Sequence, residues 1–336
     1  MNQPEVTIAV VPREQFNLTT RSLESVYRLT DYPFKLIYVD GGSPGYVQKY
    51  LQAQAEQKRF ELIRTDHYLS PNQARNIALT RTNTKYLLFI DNDVVVAPGW
   101  LAALVQCAEE TEAWMVGPTY CIGEPEFRTI HMAGGTALIT ESHDRRDLQE
   151  RHRFVSQSME KVGPLLRREP TGLIEFHCML VRTQVFEKIG ALDENLLSSP
   201  EHIDICLSVA QSGGNIFFEP KSLVTYLTPP PLARSDLRYF MLRWSDEWNR
   251  KSLKHFRKKW SLSEDSTFIK SHSQWLTAHR QLITIDLLQN QLRSLAGWRI
   301  GTWISSELLC PIEKTFNYWW VRHLAKSLAA ETVQDA

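Results

Sequence analysis

The stretch Tyr86-Leu87-Leu88-Phe89-Ile90-Asp91-Asn92-Asp93-Val94-Val95-Val96 decides how the chain is read. Its first five residues are apolar. The run is too short for an independent helix and fits a buried strand, after which the polarity switches to two carboxylates one residue apart. In an open α/β sheet, ligands bind outside the carboxyl ends of the strands, which would place Asp91 and Asp93 at a crevice. Oxygen ligands at such a position favour magnesium or manganese, which complete their shells with water and substrate phosphates. An Asx turn capping an ordinary strand has the same sequence, so the stretch by itself leaves both readings open. A calcium EF-hand is excluded, because Val95 and Val96 stand where that loop needs a ligand and a glycine.

The 336 residues, 43% of them hydrophobic, suffice for one large domain with an extension. Lysine plus arginine equals aspartate plus glutamate at 38 each, so no global field recruits nucleic acid. Cys107, Cys121, Cys178, Cys206 and Cys310 form no C-x-x-C pair, which argues against structural zinc or a disulfide framework. Met1-Asn2-Gln3-Pro4-Glu5 lacks the basic start of a signal peptide, and no stretch reaches the roughly 18 apolar residues of a membrane span. A cytoplasmic protein is expected.

Upstream of the central stretch, Val6 to Val11 reads as a central parallel strand that stops at Pro12. Thr19 and Thr20 would cap a helix carrying Leu23, Val26 and Tyr27. Phe34 to Val39 is the next strand, ending at Asp40-Gly41-Gly42-Ser43-Pro44. Asp40 there could accept hydrogen bonds from a nucleoside or simply close a turn. A helix from about Tyr46 to Gln57 and a strand from Phe60 to Arg64 follow. Ser70-Pro71-Asn72-Gln73 is a capping box with proline at the first helical position, and it places Arg75 near a positive helix end that suits an anion. Downstream, Pro98 to Val105 reads as a helix and Met115 to Pro118 as a strand. Strands alternating with helices at this rhythm predict a mostly parallel, Rossmann-like sheet with helices on both faces.

Between Ile122 and Pro170 the rhythm fails. The His131-Met132-Ala133-Gly134-Gly135 turn precedes a polar run from Glu141 to Arg153, which predicts an irregular insertion serving as a lid or a loop. Glu175 to Val181 restores a strand, and Phe186 to Asp193 reads as a short helix and turn. Ser199 as cap and Pro200 at the first helical position start a helix with the stripe Ile203, Cys206, Leu207 and Ala210. Glu201 and Asp204 share its other face, with His202 a quarter turn round. Ile216 to Glu219 and Leu223 to Tyr226 read as two short strands.

Pro229-Pro230-Pro231 marks a boundary between a first domain, 1–228, and a helical extension, 229–336. Leu237, Phe240, Met241, Trp244 and Trp248 predict one long amphipathic helix; Ile285, Leu288, Leu292 and Leu295 a second; Phe316, Trp319, Trp320, Leu324 and Leu328 a third. From Asp236 to Trp260 there are eight Lys/Arg against three Asp/Glu, and eight of the ten tryptophans lie after residue 240. Basic, tryptophan-bearing amphipathic helices pack as a core or lie on a membrane surface, here the inner face of the membrane.

In order and separation, this series resembles the family 2 glycosyltransferases of GT-A fold across residues 5–228. The motifs are Val6 to Pro12; Val39-Asp40-Gly41-Gly42-Ser43; Ala74-Arg75-Asn76; Phe89-Ile90-Asp91-Asn92-Asp93; Gly190-Ala191-Leu192-Asp193-Glu194; and Glu201-His202-Ile203-Asp204. The resemblance implies a donor site bounded by Pro12, Asp40, Arg75, Asp91 and Asn92. Asp40 would contact the nucleoside, and Asp91 and Asp93 would form the Asp-x-Asp motif that holds Mn2+ or Mg2+ against the donor diphosphate. Histidine replaces the family's usual aspartate after Glu201, so the base is open between Glu201 and His202, with Asp204 behind. Where the family often supplies a histidine ligand this chain has Tyr226 or a neighbour, so the ion would rest chiefly on Asp93 and the nucleotide. The implied function is inverting, metal-dependent transfer from a UDP- or dTDP-activated sugar to a glycan or lipid-linked acceptor. The alternative is a nucleotide-sugar or glycan-binding protein that kept the fold and lost the base. A nucleotidyltransferase is disfavoured, because Pro12-Arg13-Glu14-Gln15-Phe16 is not its glycine-rich basic loop.

Overall fold

Strand β1 (Val6–Val11) and strand β4 (Tyr86–Asp91) are buried along their whole length, as a sheet covered on both faces requires. The computed structural model describes residues 4–142, 145–227 and 232–334. Met1 to Gln3 and the expected boundary Pro229 to Pro231 lie outside the described residues.

Between these strands run α1 (Thr19–Leu29), β2 (Phe34–Gly41), α2 (Gly45–Lys58), β3 (Glu61–Thr65) and α3 (Pro71–Arg81). Thr19 and Thr20 lie inside the first turn of α1, whose cap position is Leu18. The α3 capping box forms as expected, with Ser70 accepting from Gln73 N and the Gln73 side chain accepting from Ser70 N. After β4 come β5 (Val94–Val96), α4 (Trp100–Thr111) and β6 (Met115–Ile122). The central stretch is thus two strands separated at Asn92-Asp93.

The span 122–170 is more ordered than its polarity suggested. It holds β7 (Thr129–Met132), a hairpin of β8 (Gly135–Ser142) and β9 (Arg145–His152), α5 (Met159–Val162) and β10 (Glu169–Pro170). The polar run is β9, antiparallel to β8 with His152 opposite Gly135 and Glu150 opposite Ala137. Charged residues on an exposed two-stranded ribbon hide the period that a half-buried strand would show. The chain then forms β11 (Cys178–Arg182), α6 (Val185–Ile189), α7 (Glu201–Gln211) and β12 (Ile216–Tyr226). β12 is one strand with an irregularity between Glu219 and Leu223, where the sequence suggested two.

The main sheet has the order β10-β12-β6-β11-β4-β1-β2-β3. β1, β2, β3 and β4 pair in parallel, as do β6 and β12, while β11 lies antiparallel between β4 and β6. The fold is therefore α/β with a mixed, parallel-rich sheet. The antiparallel insertion of β11 matters for the site: its first residue, Cys178, faces Ile90, so the residues just before β11 meet the carboxyl end of β4.

Beyond residue 231 the chain is helical: α8 (Leu237–Arg243), α9 (Asp246–Lys259), α10 (Thr267–Ala296), α11 (Trp298–Ile304) and α12 (Cys310–Gln334). The single helix expected through Trp248 is broken at Ser245, whose hydroxyl accepts from Trp248 N and caps α9. Tyr239, Phe256, Trp260 and Phe268 join the same buried cluster as the sheet. Arg280 is fully buried, 2.6 Å from Glu313 Oε1 and 2.8 Å from Asp246 Oδ1, and ties α9, α10 and α12 together.

The hairpin is fastened to this helical layer by Arg146, which bonds Ser263 and Trp260 O, and by the carboxylate of Asp147. Asp147 accepts from Ser266 Oγ at 2.6 Å and from Thr267 N at 2.8 Å, at the start of α10. Burial opposes its ionisation, but these hydrogen bonds outweigh that and hold its pKa at about 2, below the usual 3.8. A depressed carboxylate stabilises above its unfolded pKa and loses that contribution as pH falls through the folded value. D147N should cost about 1–2 kcal/mol of stability at pH 7, measured by urea unfolding. The difference from wild type should shrink as the pH is lowered from 3.8 toward 2.

Candidate active site

The carboxyl ends of β4 and β1, the start of β11, the N-terminus of α7, the end of β9 and the helices α8 and α10 enclose a cavity of about 710 Å3. That volume suits a small-molecule substrate. Asp91 lies at its floor and Asp93 behind it, 3% and 0% exposed.

The two carboxylates are not equivalent. Asp91 is 3.4 Å from Arg75 Nη2, 3.7 Å from Arg13 Nη1 and 3.2 Å from His177 Nδ1. Burial pushes its pKa up, yet His177 and then the two guanidiniums outweigh that and hold it at about 2. Asp93 has no such partners: both its carboxylate oxygens are buried without a hydrogen bond. Burial, with Asp91 beside it, pushes its pKa well above the ordinary value. An orphaned buried carboxylate is what a divalent cation would satisfy. Asp91, Asp93 and His177 bring their ligand atoms within 4.8 Å of one another, so the donor set fits such an ion.

His177 went unrecognised in the sequence. It precedes the antiparallel strand β11, and its carbonyl accepts from Asp91 N at 3.4 Å, so strand pairing sets it beside the Asp-x-Asp turn. Its ring stacks on Tyr226 at 4.5 Å between centroids. A histidine thus stands next to the tyrosine that replaces the expected ligand, but it comes from a different strand. Burial, with Arg13 adding to it, lowers its pKa to about 4 and keeps it neutral, as a metal ligand must be.

Arg75 sits where α3 begins, fully buried, with its guanidinium 3.6 Å from the centroid of the Phe176 ring. It bridges Asp91 to Glu201, whose Oε1 is 3.5 Å from Arg75 Nη1 and 3.5 Å from Arg243 Nη2. Glu201 is therefore clamped between two buried guanidiniums. Asn92 accepts from Arg13 N at 2.8 Å and donates to Gln15 O at 3.1 Å, and so shapes the loop after Pro12. Asp40 accepts from Ser43 N at 3.0 Å and pairs with Arg64 at the end of β2; it does not line the cavity. Asp204 accepts from Trp260 Nε1 and Lys259 Nζ, both at 2.8 Å, and binds α7 to α9 away from the cavity.

His202 does face the cavity. Its Nε2 is buried without a hydrogen bond, with Glu150 Oε1 of the hairpin 3.6 Å away. Burial alone would lower its pKa; Glu150 and Glu175 outweigh that and raise it, which makes it a stronger proton acceptor. Arg13, His131, Glu150, His152, Glu175 and Arg243 complete the polar wall. None was singled out in the sequence: only Glu150 and His152 share an element, the polar strand β9, and the others come from separate elements that no local spacing links. Trp244 and Trp275 form an aromatic rim. Arg243 also donates to Arg13 O at 3.1 Å, so the helical extension contributes directly to this wall.

The fold is shared with GalNAc-T7 bound to UDP, GalNAc and Mn2+ (TM-score 0.52, 16% identity, 82% of this chain and 58% of that one). It is shared also with the mannosyltransferase PcManGT of Pyrobaculum calidifontis bound to GDP-Man and Mn2+ (TM-score 0.50, 14% identity, 98% and 88%). Among curated proteins, the pre-mycofactocin glycosyltransferase of Mycobacterium tuberculosis is 24% identical over 227 residues, 66% of this chain and 42% of that protein. The O-antigen biosynthesis protein RfbC of Myxococcus xanthus is 26% identical over 223 residues, 62% and 16% respectively. The chain spans less than half the length of these curated relatives. The model of glycosyl transferase family 2 matches residues 8–190, more than half of the sequence and every strand from β1 to β11, and the chain belongs to that family.

Proposed function

We propose that the chain is an inverting glycosyltransferase that moves a sugar from a nucleotide-sugar donor of UDP or dTDP type to a hydroxyl of a glycan or lipid-linked acceptor. The observation that carries this reading is the orphaned carboxylate of Asp93 beside Asp91 and His177, at the strand end that faces the cavity. Family membership, and the nucleotide-and-manganese ligands of the two structural neighbours, accord with it.

Asp93, Asp91 and His177 would hold a divalent ion, Mn2+ or Mg2+, which when bound neutralises the charge developing on the leaving diphosphate. Arg13, beside Asp91 in the cavity wall, adds a donor for the same phosphates. Asp40, with its carboxylate engaged by Ser43 and Arg64 outside the cavity, is given no role in donor binding. Arg75 and Glu201 keep Asp91 and the start of α7 in place. His202 is the better base of the two, since Glu201 is held by Arg75 and Arg243 while His202 Nε2 is free to take a proton. In the transfer, the acceptor O–H proton passes to His202 Nε2 and the oxygen forms a bond to the anomeric carbon. The bond from that carbon to the diphosphate oxygen breaks, with its electron pair leaving on the diphosphate. Displacement in one step inverts the anomeric centre.

The aromatic rim, Trp244 and Trp275, supports a sugar-bearing acceptor, since flat ring faces stack on aromatic side chains. A lipid-linked form is supported by α11 and α12, where Trp298, Trp303, Ile312, Phe316 and Trp319 are exposed among Arg299, Lys314 and Arg322. Aromatic and basic residues together favour a peripheral seat on an anionic membrane. No helix among the described residues is long and apolar enough to cross one.

Four outcomes are expected. In thermal melts with chelator, D93N should match or exceed wild type, because it removes an unpaired buried carboxylate. With manganese and UDP, the wild-type midpoint should rise and that of D93N should not; an equal rise in both would refute the ion assignment. H202N should lower kcat about 100-fold or more with UDP affinity nearly unchanged. E201Q should instead destabilise by about 3–5 kcal/mol in urea, by leaving the buried Arg243 without a carboxylate and Arg75 with Asp91 alone. Normal stability of E201Q with a collapsed kcat would make Glu201 the base. Finally, the chain should co-sediment with anionic liposomes, several-fold less when Trp298, Trp303 and Trp319 are replaced by alanine and less again in high salt. Retention in the supernatant at low salt would remove the membrane contact.

A further inference from the structure

Opposite Asp91 and Asp93, four elements deliver imidazoles to one patch of cavity wall. His131 comes from β7, His152 from the end of β9, His177 from the residue before β11 and His202 from the first turn of α7. Glu150 and Glu175 stand among them, and Asp91 lies 3.2 Å from His177 Nδ1. His131 Nε2 is 3.0 Å from Glu175 Oε2 and 3.3 Å from Glu175 Oε1. His152 Nε2 is 2.9 Å from Glu150 Oε1 and 3.9 Å from Glu175 Oε1. The rings of His131 and His152 are 5.6 Å apart and nearly perpendicular at 79°, so their nitrogens approach the carboxylate from two directions.

Simple ion pairing accounts poorly for this convergence. If every imidazole carried a proton, four cations and Arg13 would face three carboxylates, Glu150, Glu175 and Asp91, and like charges at this range repel strongly where water is scarce. If they were neutral, the carboxylates would stand half-buried with weak partners; Glu175 Oε2 is buried without an aligned hydrogen bond even though His131 Nε2 is 3.0 Å away. A divalent ion resolves both problems.

We propose that His131, His152 and Glu175 form a second divalent-cation site of zinc type, distinct from Asp91, Asp93 and His177. Their ligand atoms lie within 4.8 Å of one another. Two imidazole nitrogens and a carboxylate form a donor set that zinc accepts with one coordination position left for water or substrate. The main chain at Glu175 is fixed by Tyr120, whose hydroxyl accepts from Glu175 N at 3.0 Å. Glu150 stands beside His152 as a further oxygen donor, and His202 lies on its far side.

The role of the site rests on the transferase reading above. An ion there lowers the pKa of a hydroxyl that it polarises. His202 stands on the same wall, positioned to receive the proton from an acceptor hydroxyl. This would let a histidine serve where the family usually has an aspartate.

The experiment reads metal content rather than turnover. The full chain, stripped with chelator and dialysed against Zn2+ without nucleotide, should retain two equivalents by elemental analysis. The H131A/H152A variant should retain one, D93N should retain one, and combining the three substitutions should abolish retention. The proposal is overturned if H131A/H152A retains as much zinc as wild type, or if D93N loses all of it. E175Q, which removes one ligand and keeps both rings, should lose the same equivalent, and its retaining all the wild-type zinc overturns the proposal even where the double variant folds poorly. Because no donor or acceptor is present, absence of transferase activity would leave a two-equivalent result standing. Equally, a one-equivalent result would leave the transfer reaction untouched.

Discussion

Two carboxylates buried one residue apart, with positive charge enough for only one, constrain everything around them. Asp91 is held by His177, Arg75 and Arg13, whereas neither oxygen of Asp93 has a hydrogen bond. Burying an unpaired carboxylate costs several kcal/mol, and such an arrangement persists only where the surroundings over-determine it. The surroundings do so. Asn92 between them bonds Arg13 N and Gln15 O, while Leu227 N donates to Asp93 O at 3.0 Å, so the turn is fixed by its main chain and by the one side chain that is not acidic.

From that turn the charge balance spreads outward. Arg75 is fully buried, and its guanidinium is tolerable only with Asp91 on one side and Glu201 on the other. Glu201 in turn faces Arg243 from α8, and Arg243 holds the main chain of Arg13. A closed circuit of buried charges thus links β4, α3, α7, α8 and the loop after β1. It explains why the helices beyond residue 231 share a core with the sheet: without Arg243, Glu201 would lose one of its two partners. The helical extension is part of the site's electrostatics as well as its cover.

Much of this was legible in the sequence, for definable reasons. β1, β4 and the α3 cap were readable because continuous apolar runs and a capping box are local signals. Asp91, Asp93, Arg75, Glu201 and His202 were readable as candidates because each lies near the end of such an element, and the structure sets four of them in the cavity wall and Asp93 beside Asp91. Asp40 and Asp204 also end strands or begin helices, yet Arg64 and Lys259 engage them outside the cavity, and local pattern does not reveal a partner distant in sequence. The hairpin was read as irregular because β9, Arg-Arg-Asp-Leu-Gln-Glu-Arg-His, shows no apolar period. Ser245 broke an apparently continuous helix because a hydroxyl that caps the following turn leaves the hydrophobic spacing intact.

His177 shows the general limit most clearly. Nothing local distinguishes it from a core histidine in an apolar strand, and its position follows from a topological fact: β11 runs against β4, so its start meets the end where Asp91 sits. Had β11 been parallel, the residue before it would lie at the opposite edge of the sheet, about 17–20 Å away across a strand of usual length. The same reversal brings Glu175 toward His131 and the hairpin. The Asp91 end of the polar wall therefore depends on β11 running antiparallel between β4 and β6. Placing that strand requires the strand order, which the motifs between residues 5 and 228 leave open, because they fix what each strand ends in and not which way its neighbour runs.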